Sequence, residues 1–173
     1  MQKSIWIFGI IAGILCAMLE YLFMLSVDAN SGINSFAKIV ILAICVIAGL
    51  ILSKKLVGGV ISIASTLITG ILISLVRAGV MIAAFSFLYY PNGDFYKSKI
   101  DDGVVTITAS VDADNAVAPA DKAMEVERIS ANWRNQMHPQ GYAVTALLMS
   151  LVSGFFISIL AAVFLSTNMM YKQ

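Results

Sequence analysis

Two charged side chains lie where charge is costly. Glu20 falls inside one long apolar run and Arg77 inside another. A lone charge at the centre of a membrane helix costs about 2.5–3.5 kcal/mol on insertion scales, so it turns inward and takes a partner. Glu20 is the only acid within any apolar run, and this predicts an ion pair with Arg77. Counted from the matching ends of their runs, the two lie about five and about eleven residues in, roughly 7 and 16 Å deep. An arginine can reach several ångström toward the interface. The two groups therefore meet if their helices touch. Such a pair fixes helix register. The same groups could instead serve an anionic ligand or a proton relay, or Glu20 could reach the lipid headgroups.

Other chemistry is thin. His138, the only histidine, precedes Pro139 and reads as a solvated loop residue rather than a base or ligand. Cys16 and Cys45 both lie in apolar runs. A zinc site or disulfide framework needs clustered thiols, so these two read as small buried hydrophobes. There is no Gly-x-x-x-x-Gly-Lys loop, no paired-histidine zinc motif, no Gly-x-Ser-x-Gly elbow and no closely paired intramembrane acids. The expectation is a protein that is not an enzyme and carries no cofactor or metal.

The elements that must position Glu20 and Arg77 follow from composition. The chain has 173 residues, 60% hydrophobic and only 12% charged. Its mean hydropathy is +0.89. Soluble domains carry about 25% charged residues, which excludes both a soluble globular domain and a disordered chain. Net charge is +1, with no basic face for nucleic acid. The lipid bilayer is the implied partner.

A bilayer core takes about 20 apolar residues as helix, and open strands cannot span it. Four runs qualify, near 5–25, 36–52, 67–90 and 142–165. The fold class is an all-α membrane protein, a four-transmembrane-helix bundle in a single domain. The first run is too long for a cleaved signal peptide and shows no clear processing site. Residues 56–66, with Gly58-Gly59 and several hydroxyls, read either as an interfacial piece or as part of one long tilted third helix. Phe85, Phe87, Tyr89 and Tyr90 form an interfacial belt, and Pro91-Asn92-Gly93 then breaks the chain.

Lys3, Lys54, Lys55 and Lys172 share one side, while Asp28 and the segment 91–140 share the other. Lys38 counts against this arrangement. The positive-inside rule puts both termini in the cytoplasm and 91–140 outside. That outer loop holds eight acids and five bases. It reads as partly ordered. Residues 104–111 alternate apolar and hydroxyl side chains, a strand pattern. Residues 115–119 are a breaker stretch. Asp121 can cap an amphipathic helix that ends at Pro139, with Val126, Ile129, Trp133 and Met137 as its apolar stripe. The stripe either caps the membrane helices or docks a partner, with Ile129, Trp133 and Met137 as the contact residues.

Every run carries small residues four apart: Gly9, Gly13 and Ala17; Cys45, Gly49 and Ser53; Gly70, Ser74 and Ala78; and Ser150, Gly154, Ser158 and Ala162. Such rows let helix backbones approach closely in lipid. They predict tight packing, either within one chain or between copies.

Lys54-Lys55 followed by Gly58-Gly59-Val60-Ile61-Ser62, a glycine-interrupted helix ending Tyr89-Tyr90-Pro91, the acidic helix with Met124 and Met137, and the closing run 154–164 together resemble a known family. It comprises small four-helix bacterial inner-membrane proteins, frequent in Bacteroidetes. The family is defined only as a domain of unknown function, numbered in the four-thousands of that series. The chain departs from it at Ile63-Ala64-Ser65-Thr66, where aromatic and basic residues are common. The resemblance implies location and helix number but no activity. Two functions remain in view: an accessory subunit or homo-oligomer acting by assembly, and a small transporter or channel component using Glu20 and Arg77.

A cysteine reporter at Asp112 should react with an impermeant thiol reagent added outside the cell, and one at Lys54 should not. The reverse pattern would overturn the topology.

Overall fold

The computed structural model describes residues 2–25, 32–59 and 61–167. Asp28, Val60 and Lys172, used in the sequence reading, lie outside that set. Among the described residues the chain is helical throughout: α1 (Gln2–Leu25), α2 (Gly32–Leu56), α3 (Ile63–Ala84), a π-helical turn (Phe85–Tyr89), α4 (Gly93–Ala113), α5 (Lys122–Met137) and α6 (Pro139–Thr167). Four helices are long and apolar enough to cross a membrane: Gln2–Leu22, Asn34–Leu56, Ile63–Tyr89 and Pro139–Phe164. The chain divides into two compact units, residues 1–81 with 146–173, and residues 82–145.

The break between α2 and α3 is written in backbone preferences. Gly58 and Gly59 take φ of +84° and +95°, the left-handed region that a side chain disfavours. Their N–H groups return to the carbonyls of Lys55 and Lys54, closing the end of α2. Ser62 then opens α3: its hydroxyl oxygen accepts the Ser65 N–H at 3.2 Å, the bond of an N-cap. The third helix thus starts at Ile63, four residues before the expected 67, and residues 63–66 belong to it rather than to an interfacial piece.

In the first unit the small-residue rows face inward. A methyl carbon at Gly9 would stand 2.5 Å from Val76 Cβ, and one at Gly13 would stand 2.5 Å from Val80 Cβ. α1 and α3 therefore touch almost backbone to side chain. Gly49 of α2 is filled by Ile73 of α3. α3 and α6 interlock reciprocally: Gly70 receives the hydroxyl of Ser158, and Gly154 receives that of Ser74. Both hydroxyls are satisfied by carbonyls of their own helices, Ser74 on Gly70 and Ser158 on Gly154. The serines can therefore pack in an apolar setting without an orphaned donor. Leu42, Val46, Leu50, Ile73, Ile157 and Ala161 form the apolar core. At one end, the fully buried Ser4 and Ser53 hydroxyls join α1 to α2 at 2.6 Å. The outward sides stay apolar and exposed, as at Ile14, Ile44, Ile68 and Phe156. Such continuous apolar exposure suits lipid and not water.

The second unit corrects the strand reading. Residues 104–111 lie inside α4. The alternation hid a helical period: Gly103 and Val111 are buried, and Val104, Ile107 and Thr108 are half-buried, on one side of the helix. The hydroxyls that suggested a strand face back-bond within the helix, Thr106 to the Asp102 carbonyl and Thr108 to that of Val104, both at 2.9 Å. The segment is thus two helices rather than a partly ordered loop with one. Lys122 to the Asp112 carbonyl, Trp133 on Gly103, and the Tyr96 hydroxyl to the Met137 carbonyl at 2.9 Å form successive rungs. Residue numbers rise on one side as they fall on the other, so α4 and α5 run antiparallel. Burial pushes the Tyr96 hydroxyl above its ordinary range, with Tyr90 adding to the effect, and keeps it a donor. Asp121 stands at the start of α5 without a side-chain cap, and its carbonyl accepts the Glu125 N–H instead.

Gly154→Leu should destabilise the detergent-solubilised protein by about 1–3 kcal/mol, the usual cost of overpacking. Gly79→Leu serves as the control, because nothing lies within 4 Å of a methyl there. Equal midpoints in thermal unfolding would contradict the interlock.

Candidate functional site

Arg77 lies on the buried side of α3, fourteen residues beyond its first residue, Ile63. It is 8% exposed. Its neighbours on that side are small, with Ser74 and Ala78 fully buried. Its Nε donates to Cys16 Sγ of α1 at 3.3 Å, and its Nη1 donates to Ser150 Oγ of α6 at 3.0 Å. Both acceptors are neutral groups of short side chains. Cys16 in turn faces α2, with its thiol 3.8 Å from the Lys38 carbonyl.

Glu20 lies one turn along α1 from Cys16, and its carboxylate pairs with Lys38 Nζ at 3.4 Å. Both side chains are mostly buried, at 18% exposure for Lys38 and 11% for Glu20. The expected Glu20–Arg77 pair is therefore divided between two sets of partners. The physical reason is reach. Glu20 sits at the end of its span, beside the first turns of α2, where Lys38 enters. Arg77 lies level with Cys16, one helical turn deeper. Lysine is the nearer cation.

The two sets make one polar string across all four spans: Glu20 and Cys16 from α1, Lys38 from α2, Arg77 from α3 and Ser150 from α6. Among the described residues, the string holds two cations and one carboxylate, a surplus of one positive charge inside an apolar region. Thr69, on the same buried side of α3, holds its hydroxyl without a hydrogen-bond partner. Among the described residues no group of three or more His, Cys, Asp or Glu is placed to hold a metal ion.

Three members of this string were not singled out from sequence. Lys38 looked only like an exception to the charge bias, Cys16 like a buried hydrophobe, and Ser150 like one more small residue. The signal available was spacing: Cys16 and Glu20 are four apart, and so share a helix face. The stripe proposed for docking is not free either. Met137 is buried and Ile129 and Trp133 are half-buried, with the Trp133 ring lying against Gly103 of α4. Of the three, Trp133 packs its ring within the hairpin. His138 is exposed, its ring set edge-on to Tyr90 at 6.0 Å. The packing residues Gly9, Gly13, Gly49, Gly70, Ser74, Gly154 and Ser158 all meet side chains of their own chain.

One comparison reaches nearly the whole of this architecture. The family model described as protein of unknown function (DUF4199) matches residues 7–167. The chain belongs to this family. The match takes in the polar string from Cys16 to Ser150 and both helices of the hairpin. No curated protein and no solved structure matches the chain.

Ser150→Ala removes an acceptor from a buried guanidinium, and leaving such a donor unmet costs about 1–3 kcal/mol. Ser153→Ala, on the exposed side of the same helix, should cost far less. Thermal unfolding of the two variants in one detergent checks this, and equal midpoints would contradict the bond's role.

Proposed function

We propose that this DUF4199 member is a small transporter component, not an enzyme, that holds a monovalent anion beside Arg77 within a four-helix bundle. The carrying observation is the state of Arg77: a buried guanidinium whose hydrogen bonds go to neutral acceptors while the nearby carboxylate is taken by a lysine. Hydrogen bonds to neutral groups recover only part of the cost of desolvating a cation. An anion would recover more. The setting is a bacterial inner membrane, with both termini cytoplasmic and the α4–α5 hairpin outside. The lysines at Lys3, Lys54 and Lys55 support that orientation.

The rival reading, an accessory subunit or homo-oligomer acting by assembly, drew on the small-residue rows and the apolar stripe of α5. The glycines of those rows meet side chains of their own chain, and Trp133 of that stripe lies against Gly103, so the arginine gives the more specific support.

Proteoliposomes carrying the protein should take up nitrate, read by an entrapped anion-quenched dye, and Arg77→Gln should abolish the uptake. Nitrate uptake equal in the two proteins, or absent from the wild type, would refute the reading.

A further inference from the structure

We infer that Glu20 is a tethered competitor of the anion, and that Lys38 is the cation for which the two compete. This rests on the anion-site reading above and names what controls that site.

The geometry carries the inference through one turn of α1. Cys16 and Glu20 stand four residues apart on that helix. The Cys16 thiol touches Arg77 Nε on one side and the Lys38 carbonyl on the other. Lys38 and Arg77 therefore flank the same turn, and Glu20 is the acid that serves it. Its contact with Lys38 is loose. At 3.4 Å it exceeds the 2.7–2.9 Å typical of a charge-assisted N–H···O bond. Neither side chain is fully sealed, at 18% and 11% exposure. A carboxylate paired with a lysine, one helical turn from a guanidinium bonded to a thiol and a hydroxyl, is placed as a stand-in for a free anion. When an anion arrives, Lys38 can leave Glu20 and join Arg77 around it.

Charge sets the class of ligand. Among the described residues, two cations and one carboxylate meet at this turn, a net single positive charge. A monovalent anion neutralises it. A divalent anion would leave an uncompensated negative charge in a low-dielectric site, at a steep desolvation cost. The expected ligand is thus a small monovalent anion such as nitrate, and not sulfate.

The test is nitrate binding to the purified full-length protein in detergent, read as the rise of the thermal midpoint with nitrate at constant ionic strength. Gluconate serves as the balancing salt. Glu20→Gln frees Lys38 and should tighten nitrate binding on the order of tenfold. Lys38→Met should weaken it by a similar factor. The double variant restores the wild-type net charge and should bind within about threefold of wild type, by the same Coulomb argument. Sulfate should give no rise in the wild type, in Lys38→Met or in the double variant, whose net charge is at most +1. If Glu20→Gln does not fold, Glu20→Asp shortens the reach to Lys38 and should still tighten nitrate. Arg77→Gln separates the two levels of inference. If Arg77→Gln abolishes the nitrate effect while every Glu20 and Lys38 variant binds like wild type, the competitor is refuted and the anion site stands. If Arg77→Gln responds to nitrate as wild type does, the anion site itself fails.

Discussion

A guanidinium in an apolar phase has to be met by acceptors, and that requirement organises the four spans. Arg77 draws on α1 through Cys16 and on α6 through Ser150. Cys16 carries the connection on to α2. Each acceptor is short, so each partner helix must come close to α3. In water such bonds would contribute little, because solvent competes for both ends. In lipid the alternative is an unmet donor, and the geometry of the helices becomes tied to one side chain.

Close approach needs small residues at the contact, and the rows supply it at the heights where the polar string requires it. Gly9 and Gly13 admit Val76 and Val80, the residues one before and three after Arg77. The α1 glycines thus bring the backbone of α3 near enough for Arg77 to reach Cys16, three residues past Gly13. On the other side, Ser74 in the Gly154 gap holds α6 one turn from Ser150, which takes the second bond. Packing and polar chemistry are here two aspects of one arrangement. A bulky residue in either row would lengthen the arginine's bonds as well as crowd the helices.

The spans were legible in the sequence because lipid imposes one strong rule, an unbroken apolar run of sufficient length. Their small-residue faces were legible for a related reason, since Gly and Ser at a spacing of four can share only one side of a helix. The charge partners were not. Sequence marks Glu20 and Arg77 as costly but does not rank their neighbours, and Lys38, though basic, sits near a helix start where charge is common. Which cation Glu20 meets depends on a one-turn difference in height that no spacing rule encodes. The α4 segment failed for another reason. Val and Thr at alternating positions favour a strand locally. In this chain the residues at 103, 104, 107, 108 and 111 also make a helical face, and packing against α5 selects it over the local preference. The hydroxyls accommodate either outcome by bonding to their own backbone.

The split of Glu20 from Arg77 has a consequence for the rest of the chain. Had they paired, the core would hold one neutral ion pair, and Lys38 would be left as a partly buried cation at the end of its span. With Glu20 on Lys38, the pair sits toward the end of α1's span, where its desolvation is least costly, and the uncompensated charge is moved one turn deeper. A protein that needed the charges only for stability would do better with the deep pair, because Lys38 lies nearer the end of its span than Arg77 does and its charge is less costly there. The observed order leaves the deeper cation without a carboxylate and pairs the nearer one with Glu20. That order is costly as architecture, and it is the order on which the proposed anion site rests.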